Sequence, residues 1–267
     1  MAVAWLALIL GGPVPDVVPA FARQAPGVES GPPVFAFNGK DLDGFVPYTR
    51  YHEFQDPDGV FTVHDGLLHV SGREFGGLAT RGVYSDYRLV AEWRWGKETW
   101  HPRRWRARNS GIMVHCSGPE GEAFGAWMES VECQILEGGT GDLILVPRKG
   151  QAPPRLTSEV GPGPDGRPRY RKGGRAATLA GGRFDWWGRD PAWRDVLSWR
   201  GPLDVEAPVG DWNWMEVICD GDKITCLLNG LLVNAGSGSS LTAGKILVQS
   251  EGAEIFFRKI EVRPLRK

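Results

Sequence analysis

Turn dipeptides set between alternating stretches constrain this chain more than any other feature. In V-F-T-V-H-D-G-L-L-H-V, Val60 to Val70, apolar and polar residues alternate on both sides of Asp65-Gly66. An Asx-Gly pair favours the type I′ hairpin, whose central residues both need positive φ. The stretch Trp212 to Val233 reads as three strands with turns at Asp220-Gly221 and Asn229-Gly230. Gly244 to Val262 reads as a final pair around Glu251-Gly252. No segment holds a 3.6-residue period beyond two turns. With 37 Gly and 20 Pro in 267 residues, the expected fold is all-β: a two-sheet antiparallel sandwich in one domain.

The domain is expected to run from residue 34 to 267. Residues 1–22 carry a short apolar run ending in Ala20-Phe21-Ala22, the pattern of a cleaved export signal. This predicts a periplasmic or secreted protein. The run is too short to span a bilayer, so integral membrane contact is not expected. A Pro/Gly linker follows over 23–33. Charges nearly cancel, at net −1, which gives no global field for nucleic acid. Cys116, Cys133, Cys219 and Cys226 sit in apolar strand patterns and read as buried thiols. Cys116 with Cys133 is the expected pair if a bridge forms.

Residues 147–210 break the strand rhythm. From Pro147 to Arg200 there are 12 Lys/Arg against 5 Asp/Glu, followed by a Trp-rich end. The part up to about Gly182 reads as mobile. The part carrying Trp186, Trp187, Trp193 and Trp199 is too aromatic to stay solvated and is expected to dock as a lid or to plug a sheet edge.

Ser130 to Asp142, S-V-E-C-Q-I-L-E-G-G-T-G-D, alternates with Val131, Cys133 and Ile135 on one face. Glu132 and Gln134 fall on the other, a carboxylate beside a carboxamide in an otherwise apolar segment. Tyr87 to Trp95 and Asn109 to Cys116 form neighbouring strands. The first puts Leu89, Ala91, Trp93 and Trp95 on a single face.

Several motifs in fixed order resemble one family: F-N-G-K-D-L-D-G-F, R-N-S-G-I-M-V-H, E-C-Q-I-L-E-G-G-T-G-D, G-D-W-N-W-M-E-V, L-L-N-G and L-V-Q-S-E-G-A-E-I-F-F-R-K-I. From Val34 to Leu265 the chain is similar to the 3-keto-disaccharide hydrolases. Where many members carry His after the late-strand Gln, this chain has Ser250-Glu251. The resemblance implies a concanavalin-like jelly roll acting on a carbohydrate whose C3 hydroxyl is a ketone. That ketone acidifies the C2 proton, so a positioned base can drive elimination at C1, and water then adds. A non-catalytic carbohydrate-binding domain and a glycosidase for unoxidised glucans are the alternatives.

Glu132 is the expected base, with Gln134 holding a substrate oxygen. His115, on the Gly111–Met113 face by alternation, is the alternative acid or base. Arg108 and Asn109 are expected to polarise the ketone and bind a hydroxyl. Glu92, Gln249 and Glu251 are candidates for the same cleft, and Trp186, Trp187 and Trp193 for stacking on sugar rings. No cofactor is expected. Glu132, Glu137, Asp142 and His115 are the residues that would gather around a divalent cation, but their spacing is not diagnostic. Arg258 is expected to pair with a carboxylate.

Overall fold

The computed structural model of the chain describes residues 28–163, 166–186 and 188–266. The expected leader, 1–22, and Trp187 lie outside them. The described residues contain no helix, and so none long and apolar enough to cross a membrane.

The strands in chain order are β1 (Phe35–Ala36), β2 (Phe45–Thr49), β3 (Phe61–His64), β4 (Leu67–Val70), β5 (Gly76–Thr80) and β6 (Tyr87–Thr99). Then come β7 (Asn109–Ser117), β8 (Glu129–Leu136), β9 (Leu143–Val146), β10 (Arg155–Pro162), β11 (Pro168–Tyr170) and β12 (Arg175–Ala180). The last are β13 (Gly182–Phe184), β14 (Asn213–Asp220), β15 (Lys223–Leu228), β16 (Leu231–Gly236), β17 (Lys245–Ser250) and β18 (Ala253–Pro264). The first sheet runs β16-β15-β14-β6-β18-β4-β3, with β1 also paired to β18. The second runs β13-β9-β8-β7-β17-β5-β2. All ladders within these two sheets are antiparallel, giving the jelly-roll sandwich.

The core forms where the alternation says it should. Leu89, Ala91, Trp93 and Trp95 of β6 face Val131, Cys133 and Ile135 of β8 in one buried cluster. Each such large side chain contributes about 1.5–3 kcal/mol by leaving water. The hairpins also follow the turn chemistry. Asp65 and Gly66 have φ of 52° and 79°, and Asn229 and Gly230 have 49° and 80°. Asp220 instead closes its strand opposite Lys223, so Gly221 (φ 56°) takes the first central position of the turn.

Four expectations are corrected. Glu251-Gly252 is not a hairpin turn: β17 lies in the second sheet and β18 in the first, so this link crosses the sandwich. Two alternating strands around a Gly look the same in sequence whether they pair or part. The early insertion is ordered as a three-stranded sheet, β11-β10-β12. It is anchored because Leu156, Val160 and Tyr170 are buried, and Ser158 Oγ donates to the Ala235 carbonyl at 2.6 Å. All four cysteines are free and buried, as their apolar strand patterns imply, and what is corrected is the conditional Cys116–Cys133 pair. Cys133 points into the core, whereas Cys116 belongs to the apolar cluster on the opposite face of its sheet, so the expected pair is separated.

The fourth correction concerns His115. A register irregularity between Val114 and Ser117, with His115 at φ 54°, breaks the alternation of β7. The ring therefore turns to the core side, edge-on to Tyr87 of the first sheet at 5.7 Å, and Cys116 takes the outward place.

Candidate functional site

The Ser130–Asp142 motif divides into two functions. Its strand half, Glu132 and Gln134, lies on the face of the second sheet turned away from the core. There Met113 sits opposite Glu132 and Gly111 opposite Gln134. Glycine at 111 makes room for this arrangement, because a Cβ there would stand 2.6 Å from Glu132 Oε1 and push that side chain aside. The Glu132 side chain lies across the bare backbone of β7. Beside it, Gln134 Nε2 donates to Asn109 Oδ1 at 3.2 Å. Gln249 of β17 shares this face with Leu247, and Glu251 follows where the chain leaves the sheet.

The turn half, E-G-G-T-G-D, clamps the insertion. Glu137 is buried against Arg108, whose Nη1 donates to Oε1 at 2.7 Å. Its other oxygen takes the Ser198 N–H at 3.1 Å, and its carbonyl takes Trp193 Nε1 at 3.0 Å. Trp193 and Trp199 pack over Gly138, where a side chain would collide with both rings. Asp142 accepts from Arg183 and Arg189 and takes the Trp186 N–H at 2.8 Å. Arg183, on β13, then reaches over the sheet and donates to Gln134 Oε1 at 2.5 Å.

The resulting electrostatics are unusual. Glu132 is only 4% exposed, and its Oε1 is buried without a hydrogen-bond partner. Gln249 Oε1 is likewise buried and unpartnered. Burial, then the like charge of Glu251, pushes the Glu132 carboxyl well above the usual range, while Arg183 opposes the shift and Asp142 adds to it. Burial raises Glu251 to about 7 against the pull of Arg103, an Asn109 hydrogen bond, Arg183 and Arg50. Buried polar atoms are nearly always satisfied in folded proteins. Two open acceptors beside a pair of high-pKa carboxyls are therefore set to receive donors and exchange protons.

Not all expected site residues meet here. Glu132, Gln134, Asn109, Gln249 and Glu251 do. Arg108 does not: its side chain donates to Glu137 and to the Gly96 carbonyl, leaving it a structural role. Glu92 lies on the first sheet, on its solvent side, paired with Arg258 and Lys259. Arg258 thus meets a carboxylate as expected. His115 Nδ1 bonds the Leu241 carbonyl at 2.8 Å, and burial lowers its pKa. Trp186 is part of the core, and Trp193 is held between Glu137, Gly138 and Arg189, which leaves neither free to stack on a sugar. The cation set stays dispersed, since Glu137 and Asp142 face arginines and His115 faces the core. Elsewhere His52, Asp58 and Glu74 bring ligand atoms within 4.8 Å of one another.

Sequence reasoning missed Arg183, Arg103 and the Phe75–Trp127 pair. Phe75 and Trp127 stack at 5.6 Å in the apolar cluster that includes Met113 and Leu247. The one available signal was Asp142: a buried acid at the end of a strand motif requires a cation, and the insertion is rich in arginine.

The fold and this site define a jelly roll whose polar sheet face holds two carboxyls under an arginine-bearing insertion. The chain belongs to the family of 3-keto-alpha-glucoside-1,2-lyase-like domains, whose description it matches over residues 33–263. Among curated proteins none matches it at a significant level. Among solved structures it is similar to a putative glycosyl hydrolase from Parabacteroides distasonis ATCC 8503, at 19% identity and TM-score 0.48, covering 88% of this chain and 98% of that one. It is also similar to the carbohydrate-binding module CBM66 from Bacillus subtilis, at 10% identity and TM-score 0.45, covering 82% and 95%. A structure described with endo-acting O-glycanases of the human gut microbiota shares 12% identity, at TM-score 0.50, over 88% and 100%. These are likenesses of fold.

Proposed function

We propose that the protein cleaves 3-keto-glycosides by removing the C2 proton, eliminating the group at C1 and adding water. The observation that carries this reading is the unpartnered, deeply buried Glu132 carboxylate with a raised pKa, supported by membership of the family. A base needs a pKa near the working pH to take a proton from carbon and return it. In the reactive form the pair's one proton is on Glu251: Glu132 takes the C2 proton, and electron density moves to the ketone oxygen as an enolate, favoured by the positive charge of Arg183. Collapse of the enolate breaks the C1–O bond, and the leaving oxygen takes a proton from Glu251. The product is a C1=C2 unsaturated ketone. Water then adds at C1, giving its proton to Glu251, while Glu132, its proton exchanged with solvent in the interval, returns a proton to C2. The sum is hydrolysis, with both carboxyls restored.

The test is incubation of the purified protein with a 3-keto-glucoside and, in parallel, the parent glucoside. Consumption of the keto sugar alone is expected. Consumption of the parent alone would overturn the reading, and consumption of neither would favour a binding domain.

A further inference from the structure

A second feature lies beyond Glu251. The loop from β6 to β7 and Leu197 of the insertion enclose a groove of about 440 Å³. It joins the candidate site through the backbone, because the Trp100 N–H donates to the carbonyl of Gly252, the residue after Glu251, at 2.8 Å. Arg103 of the same loop reaches Asp195 at 3.0 Å and stands 4.0 Å from Glu251 Oε1. Arg103, next to the lining residue Arg104, thus links the groove's loop to the Glu251 end of the carboxyl pair.

Its lining is aromatic and basic. Trp105 is 75% exposed, which leaves its indole face open to a ligand. It is held in place by its carbonyl, which accepts the Leu197 N–H at 3.2 Å. Arg104 lies over its ring at 5.6 Å. Trp100 is fixed by its Nε1 bond to the Ser71 carbonyl at 3.0 Å. Lys97, His101 and Arg104 line the groove against a single acid, Glu98, and neither Lys97 nor Arg104 has a carboxylate partner among the described residues. In a chain of net charge −1 this local excess is distinctive.

We infer that this groove binds the leaving portion of the substrate, and that this portion is an acidic glycan carrying uronate carboxylates. The inference rests on the proposed function only in treating the groove as the leaving-group side. Flat indole faces stack on the C–H faces of sugar rings, and unpaired Lys and Arg select a carboxylate. A neutral glycan would leave those cations unused, and a purely apolar aglycone would have to desolvate them.

The test uses the full chain and unoxidised ligands, so it does not depend on turnover. Tryptophan fluorescence is titrated with a uronic-acid trisaccharide, a neutral gluco-trisaccharide and a short single-stranded oligonucleotide. The uronate is expected to bind best, to weaken with added salt, and to lose about tenfold in affinity in Trp105→Ala. Arg104→Gln is expected to weaken the uronate severalfold and leave the neutral sugar unchanged. Equal or tighter binding of the neutral sugar or of the oligonucleotide, or unchanged uronate binding in Trp105→Ala, would overturn the inference. Turnover of a 3-keto-glucoside with a methyl aglycone by the unaltered protein reports on the proposed chemistry separately.

Discussion

The two sheets each expose a polar face, and the faces use the same kinds of residue to opposite ends. On the first sheet, Glu92 is paired with Arg258 and Lys259, and Glu216 with Arg88. Arg94 and Arg258 sandwich Trp212 at 4.8 and 4.4 Å, and Lys259 lies over Trp214 at 5.4 Å. Each of these carboxylates has a cation, although Glu92 and Glu216 are only 7% and 5% exposed. On the second sheet Glu132 and Glu251 sit near one another, with Arg183 of the insertion reaching over to Gln134 and the Glu132 Oε1 left open. Pairing rather than burial separates the two faces: Glu92 and Glu216 are about as buried as Glu132, but each has a cation against it. Two carboxyls close together with an oxygen left open are instead groups whose protonation is finely balanced.

The largest expected contrast is catalytic. Glu132→Gln should lower kcat/KM for a 3-keto-glucoside by about 10²–10⁴-fold, the usual contribution of a general base. Glu92→Gln on the other face should change it within about twofold. Steady-state kinetics on the two variants measures the gap directly. Equal losses would erase the distinction between the faces.

Next in size is stability. Arg108→Met strands the buried Glu137 carboxylate and should cost about 3–5 kcal/mol, seen as a large fall in the denaturation midpoint. Arg258→Met removes a half-exposed guanidinium and leaves Glu92 its Lys259 partner, so it should cost only about 1 kcal/mol.

The pH response is smaller and has a definite sign. Burial raises Glu206 to about 8 and Glu251 to about 7, both above the 4.5 of a free Glu. The folded state therefore holds these protons more tightly than the unfolded chain. The stability they contribute is full below about pH 4.5 and is lost as pH rises through 7 and 8. Thermal melts between pH 5.5 and 8.5 should show a shallower decline in Glu206→Gln than in the unaltered protein. The smallest effect belongs to Trp214→Ala on the first sheet. Its ring is 38% exposed, and removing it should move stability by at most about 1 kcal/mol and leave turnover unchanged.

Much of this was legible in the sequence for physical reasons that can be named. The alternation of β6 and β8 assigns the core directly, because a period of two leaves Val131, Cys133 and Ile135 no other face. The Asp65-Gly66 and Asn229-Gly230 pairs fix hairpins through their positive φ. Glu132, Gln134 and Gln249 follow from the same alternation. What escaped the sequence depends on contacts distant along the chain. Nothing local says that Glu251-Gly252 crosses between sheets, that a bulge turns His115 inward, or that Glu137 takes Arg108 out of service. The tryptophans misled for a similar reason. Trp186 and Trp193 have the composition of a sugar platform, but Glu137, Gly138 and Asp142 use them as anchors, and the arginine brought in with them is what reaches the site.

The most direct measurement follows the hydrogen at C2. With the protein in D₂O and a 3-keto-glucoside, proton NMR should show deuterium at C2 of the released keto sugar for the unaltered protein, and almost no product with Glu132→Gln. Release of the sugar with its C2 hydrogen retained, or undiminished exchange in Glu132→Gln, would contradict the role assigned to that carboxylate.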